Sequence, residues 1–201
     1  MRALISVSDH NGLVPFAKLL ESCGFEIISA GNTATHLRAE FIPVSVVDEI
    51  TGFSETLGGR LTMFHPKIFG GIVANIGDPL HRDRLAKQKI VHCDLIVANL
   101  THSPPIDETD AGRLSLLTAA AINFGSVVAI VDPADYREVG RLIHDHSFIP
   151  GITRQRLAAK ALYVCSEWTN QVARQFRKQI EMIESRVVST PTVAVTATAE
   201  V

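Results

Sequence analysis

Cysteine is scarce, with three in 201 residues (Cys23, Cys93 and Cys165), scattered and never in CxxC spacing. That leaves neither a disulfide framework nor a zinc-binding pattern, and no metal is expected. Charge of either sign is in no excess. Nineteen Lys and Arg stand against 21 Asp and Glu, a net −2, so no bulk basic field exists to hold nucleic acid or anionic lipid. Any phosphate-bearing partner must be gripped locally, by a few placed groups. No stretch approaches about 18 uninterrupted apolar residues, so a membrane-spanning helix is not expected. The opening Met1-Arg2-Ala3-Leu4-Ile5-Ser6 enters a strand-like run without a signal-peptide pattern, and a cytoplasmic, reducing location is expected. There is also no internal repeat, charge block or interior low-complexity linker, which argues for one domain. With 46% hydrophobic and 20% charged residues, the chain can bury an ordinary globular core.

What is present alternates between short apolar runs and helical periodicity. Ala3 to Ser8 reads as a strand, closed by the turn chemistry of Ser8-Asp9-His10-Asn11-Gly12. Leu13, Val14, Phe16, Ala17, Leu19 and Leu20 recur at helical spacing, and Gly24 follows where a C-terminal helix glycine belongs. Glu26 to Ser29 is the next strand and Ala30-Gly31-Asn32-Thr33 the next turn. Further strands are predicted over Pro43–Val47, Gly70–Ala74, Asp94–Leu100 and Val127–Val131. Helices are predicted over Pro79–Lys89, from about Leu114 to Asn123, from Pro133 onward, and from Arg154 to about Glu184 as one long helix or two. Thr51 to Pro66 reads as irregular. Residues 1–184 thus form the expected domain, and 185–201, almost without charge, read as a tail. The fold class is α/β: a mostly parallel central sheet between helical layers.

In such a sheet the ligand crevice lies outside the C-terminal ends of the strands. Four segments arrive there: the turn from Ser8 to Gly12, the turn from Ala30 to Thr33, the Asn99-Leu100-Thr101-His102 strand end, and the Gly58-to-Pro66 loop. Two are turn-then-helix units, where backbone N–H groups and the helix dipole favour an anion. Ser8 and Thr33 add hydroxyls, Gly31 lets the backbone come close, and Arg60 is a charged clamp. Small polar turns after strands also serve simply as caps. His65 is a candidate base or a structural hydrogen-bonder, Asp110 a candidate for orienting an amide or a helix cap, and Met63-Phe64 a loop anchor.

Leu4-Ile5-Ser6-Val7-Ser8-Asp9, Ser29-Ala30-Gly31-Asn32-Thr33-Ala34, Thr51-Gly52-Phe53-Ser54-Glu55, and Gly58-Gly59-Arg60 followed by His65-Pro66-Lys67 stand in an order that resembles one family. Gly70-Gly71-Ile72, Asp94 to Leu100, Val131-Asp132-Pro133-Ala134-Asp135-Tyr136 and Arg156-Leu157-Ala158-Ala159-Lys160-Ala161 extend the likeness from about Ala3 to about Phe176. The family is the inosine-monophosphate cyclohydrolase domain of the bifunctional purine-biosynthesis protein. The resemblance implies a methylglyoxal-synthase-like fold. It also implies dehydrative closure of a formamido-imidazole-carboxamide ribonucleotide to inosine monophosphate, with no metal or organic cofactor. The implied partner is a purine ribonucleotide or analogue. A homodimer and a separate formyltransferase are compatible with it.

The residues that the resemblance assigns to the site are Asp110, Arg60, Thr62, His65 and His10 for catalysis. For substrate binding they are Ser8, Asp9, His10, Gly31, Asn32, Thr33, Arg60, Thr62, Met63, Asn99, Thr101 and Asp110. Several depart from the family pattern. Thr62 stands where the family's loop carries a catalytic lysine, Met63 where it carries a phosphate-side threonine, and Thr101 where it carries a tyrosine. Ile122 replaces a second lysine, and Arg113 replaces a glycine. His10 replaces a lysine of the first turn. Three readings follow: a diverged cyclohydrolase-like enzyme in which His10, His65, Thr62 or His102 takes over proton and oxyanion duties; a non-catalytic nucleotide-binding paralog; and a phosphate-elimination lyase on the same scaffold.

Overall fold

The computed structural model describes residues 1–54, 61–101 and 111–189. Among them five strands form one sheet, every pair parallel: β1 (Arg2–Ser6), β2 (Glu26–Ser29), β3 (Ser45–Val46), β4 (Leu95–Ala98) and β5 (Val128–Ile130), in the order β3-β2-β1-β4-β5. β2 and β3 step outward on one side of β1, and β4 and β5 on the other. The order therefore reverses between β1 and β4, where the register runs from Ala3 opposite Leu95 to Ser6 opposite Ala98.

Alternation along β1 explains the layers. Ala3, Ile5 and Val7 face a core built with Leu13, Phe16 and Leu20 of α1 (Leu13–Ser22), Leu37 of α2 (Gly31–Ala39), and Val139 and Ile143 of α7 (Tyr136–His146). Leu4 faces the opposite core. That one holds Val47 of α3 (Val47–Thr51), Ile68 and Ile72 of α4 (Pro66–Val73), Leu116 and Leu117 of α6 (Ala111–Ile122), and Ala161 and Cys165 of α8 (Gly151–Ser189). A solvated helix, α5 (Pro79–Lys87), has no buried residue. It starts at Asp78, whose side chain accepts from the Leu80 N–H.

Three expectations are corrected. Gly70–Ala74 is not a strand: Gly70 to Val73 are the second half of α4 and Ala74 is its C-cap. Pro66 at the first helical position and the His65 ring, accepting from the Lys67 N–H, start a helix that carries through both glycines. Gly71 is glycine because a Cβ there would lie 2.4 Å from the Val91 carbonyl oxygen. The third strand shrinks from Pro43–Val47 to Ser45–Val46, since Val47 already opens α3. The last helix is single and runs to Ser189, past the boundary expected at 184; no Gly or Pro interrupts it after Gly151. Residues 190–201, where most of the expected tail falls, lie outside the described residues. Among the described residues no helix is long and apolar enough to cross a membrane.

Candidate functional site

The reversal of strand order puts the C-terminal ends of β1 and β4 side by side, which is where an open parallel sheet leaves a crevice. One side chain ties those ends together. Asn99, buried just after β4, accepts at Oδ1 from the Ser8 N–H (2.7 Å), the Ser8 hydroxyl (2.9 Å) and the Asp9 N–H (3.1 Å). Its Nδ2 donates to the Asp9 carbonyl at 3.2 Å. The whole loop leaving β1 is thereby hung from β4.

The second junction is tied to the first in the same manner. Thr33, buried in the first turn of α2, accepts from the Val7 N–H at 3.1 Å and donates to the Val7 carbonyl at 3.0 Å. One turn further, on the same face of α2, the His36 ring stacks on His10 with centroids 4.3 Å apart and planes 13° from parallel. Gly31 and Asn32 remain exposed at the mouth, with Gly31 in the left-handed region at φ 53° that favours glycine.

The expected binding residues thus divide. Ser8, Asp9, His10, Thr33 and Asn99 are brought together, but Thr33 and Asn99 spend their polar atoms on the scaffold. Ser8 keeps an exposed position and Asp9 accepts from the Asn11 N–H. Met63 is buried in the α4–α6 core, as a loop anchor should be, whereas its neighbour Phe64 is 40% exposed. Thr62 is buried as well, and its hydroxyl has no partner among the described residues. Thr101 is exposed, and its carbonyl accepts from the Trp168 indole N–H at 3.1 Å. His65 spends Nδ1 on the cap of α4, so a neutral ring carries its proton on Nε2 and presents a donor. Arg60, His102 and Asp110 lie outside the described residues.

Two participants escaped the sequence reading. His36 could have been found from its position three residues after Thr33 on one helix face. Arg113, seen in the sequence only as a lost glycine, donates from Nη1 to the Asn99 carbonyl at 3.2 Å and raises the positive potential felt at His10. Ile122, in the place of the second lysine, sits at the far end of α6, about 16 Å along the axis from Ala111. There, 70% exposed, it lines an apolar groove with Phe64, Phe69 and Val73. Two motif segments meet each other instead of the crevice. Lys160 pairs with Asp132 (2.7 Å) and Asp135 (2.8 Å), fastening the end of β5 to α8. Burial works against the Lys160 charge, yet these two hydrogen bonds hold its pKa above the ordinary lysine value.

His10 is held below the usual 6.5 first by burial, then by His36, with Arg113 adding to the shift and Asp9 opposing it. The folded chain therefore binds this proton less tightly than the unfolded chain. The associated stability is present above about pH 6.5 and is lost as the pH falls through the folded-state value. His10→Gln should flatten the fall in urea midpoint between about pH 7 and about pH 5. An unchanged slope would assign the acid limb to other histidines.

Sequence comparison matches residues 12–129 to the MGS-like domain model. The chain belongs to the MGS-like domain family. Residues 120–199 match a second model, described as the AICARFT/IMPCHase bienzyme. Curated relatives include the bifunctional purine biosynthesis protein PurH of Lacticaseibacillus paracasei, 43% identical over 184 residues, covering 85% of this chain and 36% of that protein. PurH of Enterococcus faecalis is 42% identical over 171 residues, covering 79% and 33%. This MGS-like chain thus spans about a third of the length of the curated relatives it matches. Among solved structures, "Crystal structure of ForH" superposes with a TM-score of 0.81 at 28% identity, covering 88% of this chain and 98% of that one.

Proposed function

We propose that the chain is an IMP cyclohydrolase-like enzyme that closes a formamido-imidazole-carboxamide ribonucleotide, or a related precursor, with loss of water. The observation that supports this most is the pair of strand-to-helix junctions locked together at the reversal of strand order by Asn99, Thr33 and the His10–His36 stack, in a chain 43% identical to PurH. That arrangement presents Ser8, Gly31 and Asn32 at one mouth, where backbone N–H groups suit a ribose phosphate. Arg60 then closes on the phosphate as a bidentate cation.

In the reaction the carboxamide nitrogen attacks the formyl carbon, forming the C–N bond and a tetrahedral carbinolamine. Asp110 takes the amide proton, and a donor such as His65 Nε2–H, Thr62 or His10 meets the developing oxyanion. The hydroxyl then leaves as water with the proton that Asp110 took, while the former formamide N–H proton returns to the depleted donor, forming the C=N bond of the aromatic ring. Orientation supplies roughly 7–11 kcal/mol of such a barrier, and each well-aimed donor about 3–4 kcal/mol. The substrate is held in the cytoplasm as a free nucleotide, and no metal or organic cofactor is needed.

A second reading, a nucleotide-binding paralog without turnover, draws on Thr62, whose short, buried hydroxyl stands in the lysine's place and brings no charge. Both readings are tested together by mixing purified protein with the formamido ribonucleotide and following the ultraviolet change against the uncatalysed rate. Closure above background supports the enzyme. Background closure together with nucleotide-dependent thermal stabilisation supports the paralog. Arg60→Ala should abolish that stabilisation in either case, and a shift that survives would place the phosphate elsewhere.

A further inference from the structure

Two imidazole rings meet at the mouth because the backbone puts them there. Thr33 fastens the first turn of α2 to Val7 through both of its hydroxyl contacts, and His36 follows on the same helix face. His10 belongs to the turn that Asn99 hangs from β4. The stack at 4.3 Å is therefore set by two clamps from different elements. Such a pair is built for one proton. Two unit charges at that spacing repel strongly, so a second imidazolium beside the first is opposed near neutral pH.

In the empty mouth even the first proton is disfavoured. Burial first, then His36 itself and the Arg113 guanidinium of α6, act against a charge on His10. Asp9 favours it, but its Oδ1 already accepts from the Asn11 N–H. An imidazolium must also carry a hydrogen on Nε2, which is buried and meets no acceptor among the described residues. The other neighbours bring no compensating charge. Tyr136 of α7, beside Gly12, is kept a neutral phenol by burial, and Arg38 of α2 turns to the Val44 carbonyl and Glu49.

A mononucleotide changes that balance. A phosphate monoester carries about −1.5 to −2 charges at pH 7. On the reading proposed above, on which this inference rests, it sits at the N-terminus of α2. His36 lies about 7.5 Å down the helix axis from Gly31, close enough to feel that charge before salt screens it. We propose that His36 is a positioning residue for His10, and that the stacked pair takes up one shared proton from solvent when a nucleotide phosphate enters the mouth. Nucleotide affinity then rises as the pH falls, because the proton and the phosphate each favour the other's binding.

The test is calorimetric titration of the full chain with inosine monophosphate in buffers of different ionisation enthalpy, which counts protons. Inosine is the probe without phosphate, and circular dichroism checks that each variant is folded. Uptake of about half a proton or more per nucleotide is expected at pH 7, and none with inosine. A phosphate bound as its dianion releases protons, so its own titration runs against this uptake. Kd should be about fivefold lower at pH 6.5 than at pH 8. His10→Gln should remove the uptake. His36→Phe keeps a flat ring against His10 without a charge, so uptake should survive with its maximum moved to higher pH, a displacement that a merely structural His36 would not produce. Four results would each overturn the proposal and leave the ring-closure reading standing: nucleotide binding without uptake, equal uptake with inosine, uptake that persists in His10→Gln, or a pH profile unmoved by His36→Phe. Failure of the folded, unaltered chain to bind inosine monophosphate at all would remove the nucleotide reading itself, and this proposal with it.

Discussion

Asn99→Ala is expected to lower the free energy of unfolding by about 2–4 kcal/mol, a large loss for one short polar side chain. The reason is that one carbonyl oxygen serves three donors. Truncation strips the partner from the Ser8 and Asp9 backbone N–H groups and from the Ser8 hydroxyl, and also frees the Asp9 carbonyl. These groups are only part-buried, so water recovers some of the loss and the lower end of the range applies if the loop relaxes outward. Ser8→Ala is the contrasting variant. It deletes one of the three contacts without orphaning a backbone group, and should cost about 1 kcal/mol or less. Urea unfolding of the two variants separates a clamp from an incidental contact. If Asn99→Ala costs no more than Ser8→Ala, the loop leaving β1 is held by something else. The same variant should also lose nucleotide-dependent stabilisation, since the loop that carries Ser8 and His10 is no longer hung from β4.

This clamp also marks the limit of what the residues disclose unaided. The strands were legible because Leu4, Ile5, Ile27, Ile28 and the Leu95-to-Ala98 run are buried, and burial of that kind writes itself as continuous β-forming residues. The meeting of the turns after β1 and β2 with the end of β4 was legible too, as a consequence of parallel pairing. The use of each side chain was not. Asn99 meets a residue 91 positions away, and Thr33 one 26 positions away, so their occupation by the scaffold is a product of the sheet order and not of local pattern. His36 carries no local signal, because its stack on His10 exists only once α2 lies against the first turn. Arg113 looked like a deficit, because the comparison in view was with the glycine it replaced. The strand expected at Gly70–Ala74 has a local cause: the β-branched pair Ile72-Val73 carries strand propensity, and the two glycines before it disfavour a helix. The deciding feature, Gly71 pressed on the Val91 carbonyl, is tertiary.

Asp110→Asn is expected to reduce the ring-closure kcat by about 10²–10³-fold while leaving nucleotide-dependent thermal stabilisation close to that of the unaltered chain. An asparagine has nearly the same shape and can still hydrogen-bond a ground-state amide, so binding loses little. It cannot accept the amide proton, so a step that needs a base loses its acceptor only as the transition state forms. The residue stands immediately before Ala111, the start of α6, whose first turn carries Arg113 to the Asn99 carbonyl. The expected signature is therefore a split, with kcat falling and KM holding. Parallel loss of kcat and of thermal stabilisation would instead make Asp110 a ground-state binding group or a helix cap. An unchanged kcat would transfer the base to another residue, with His10 the first to examine, since its lowered pKa leaves the ring neutral and able to take a proton near pH 7.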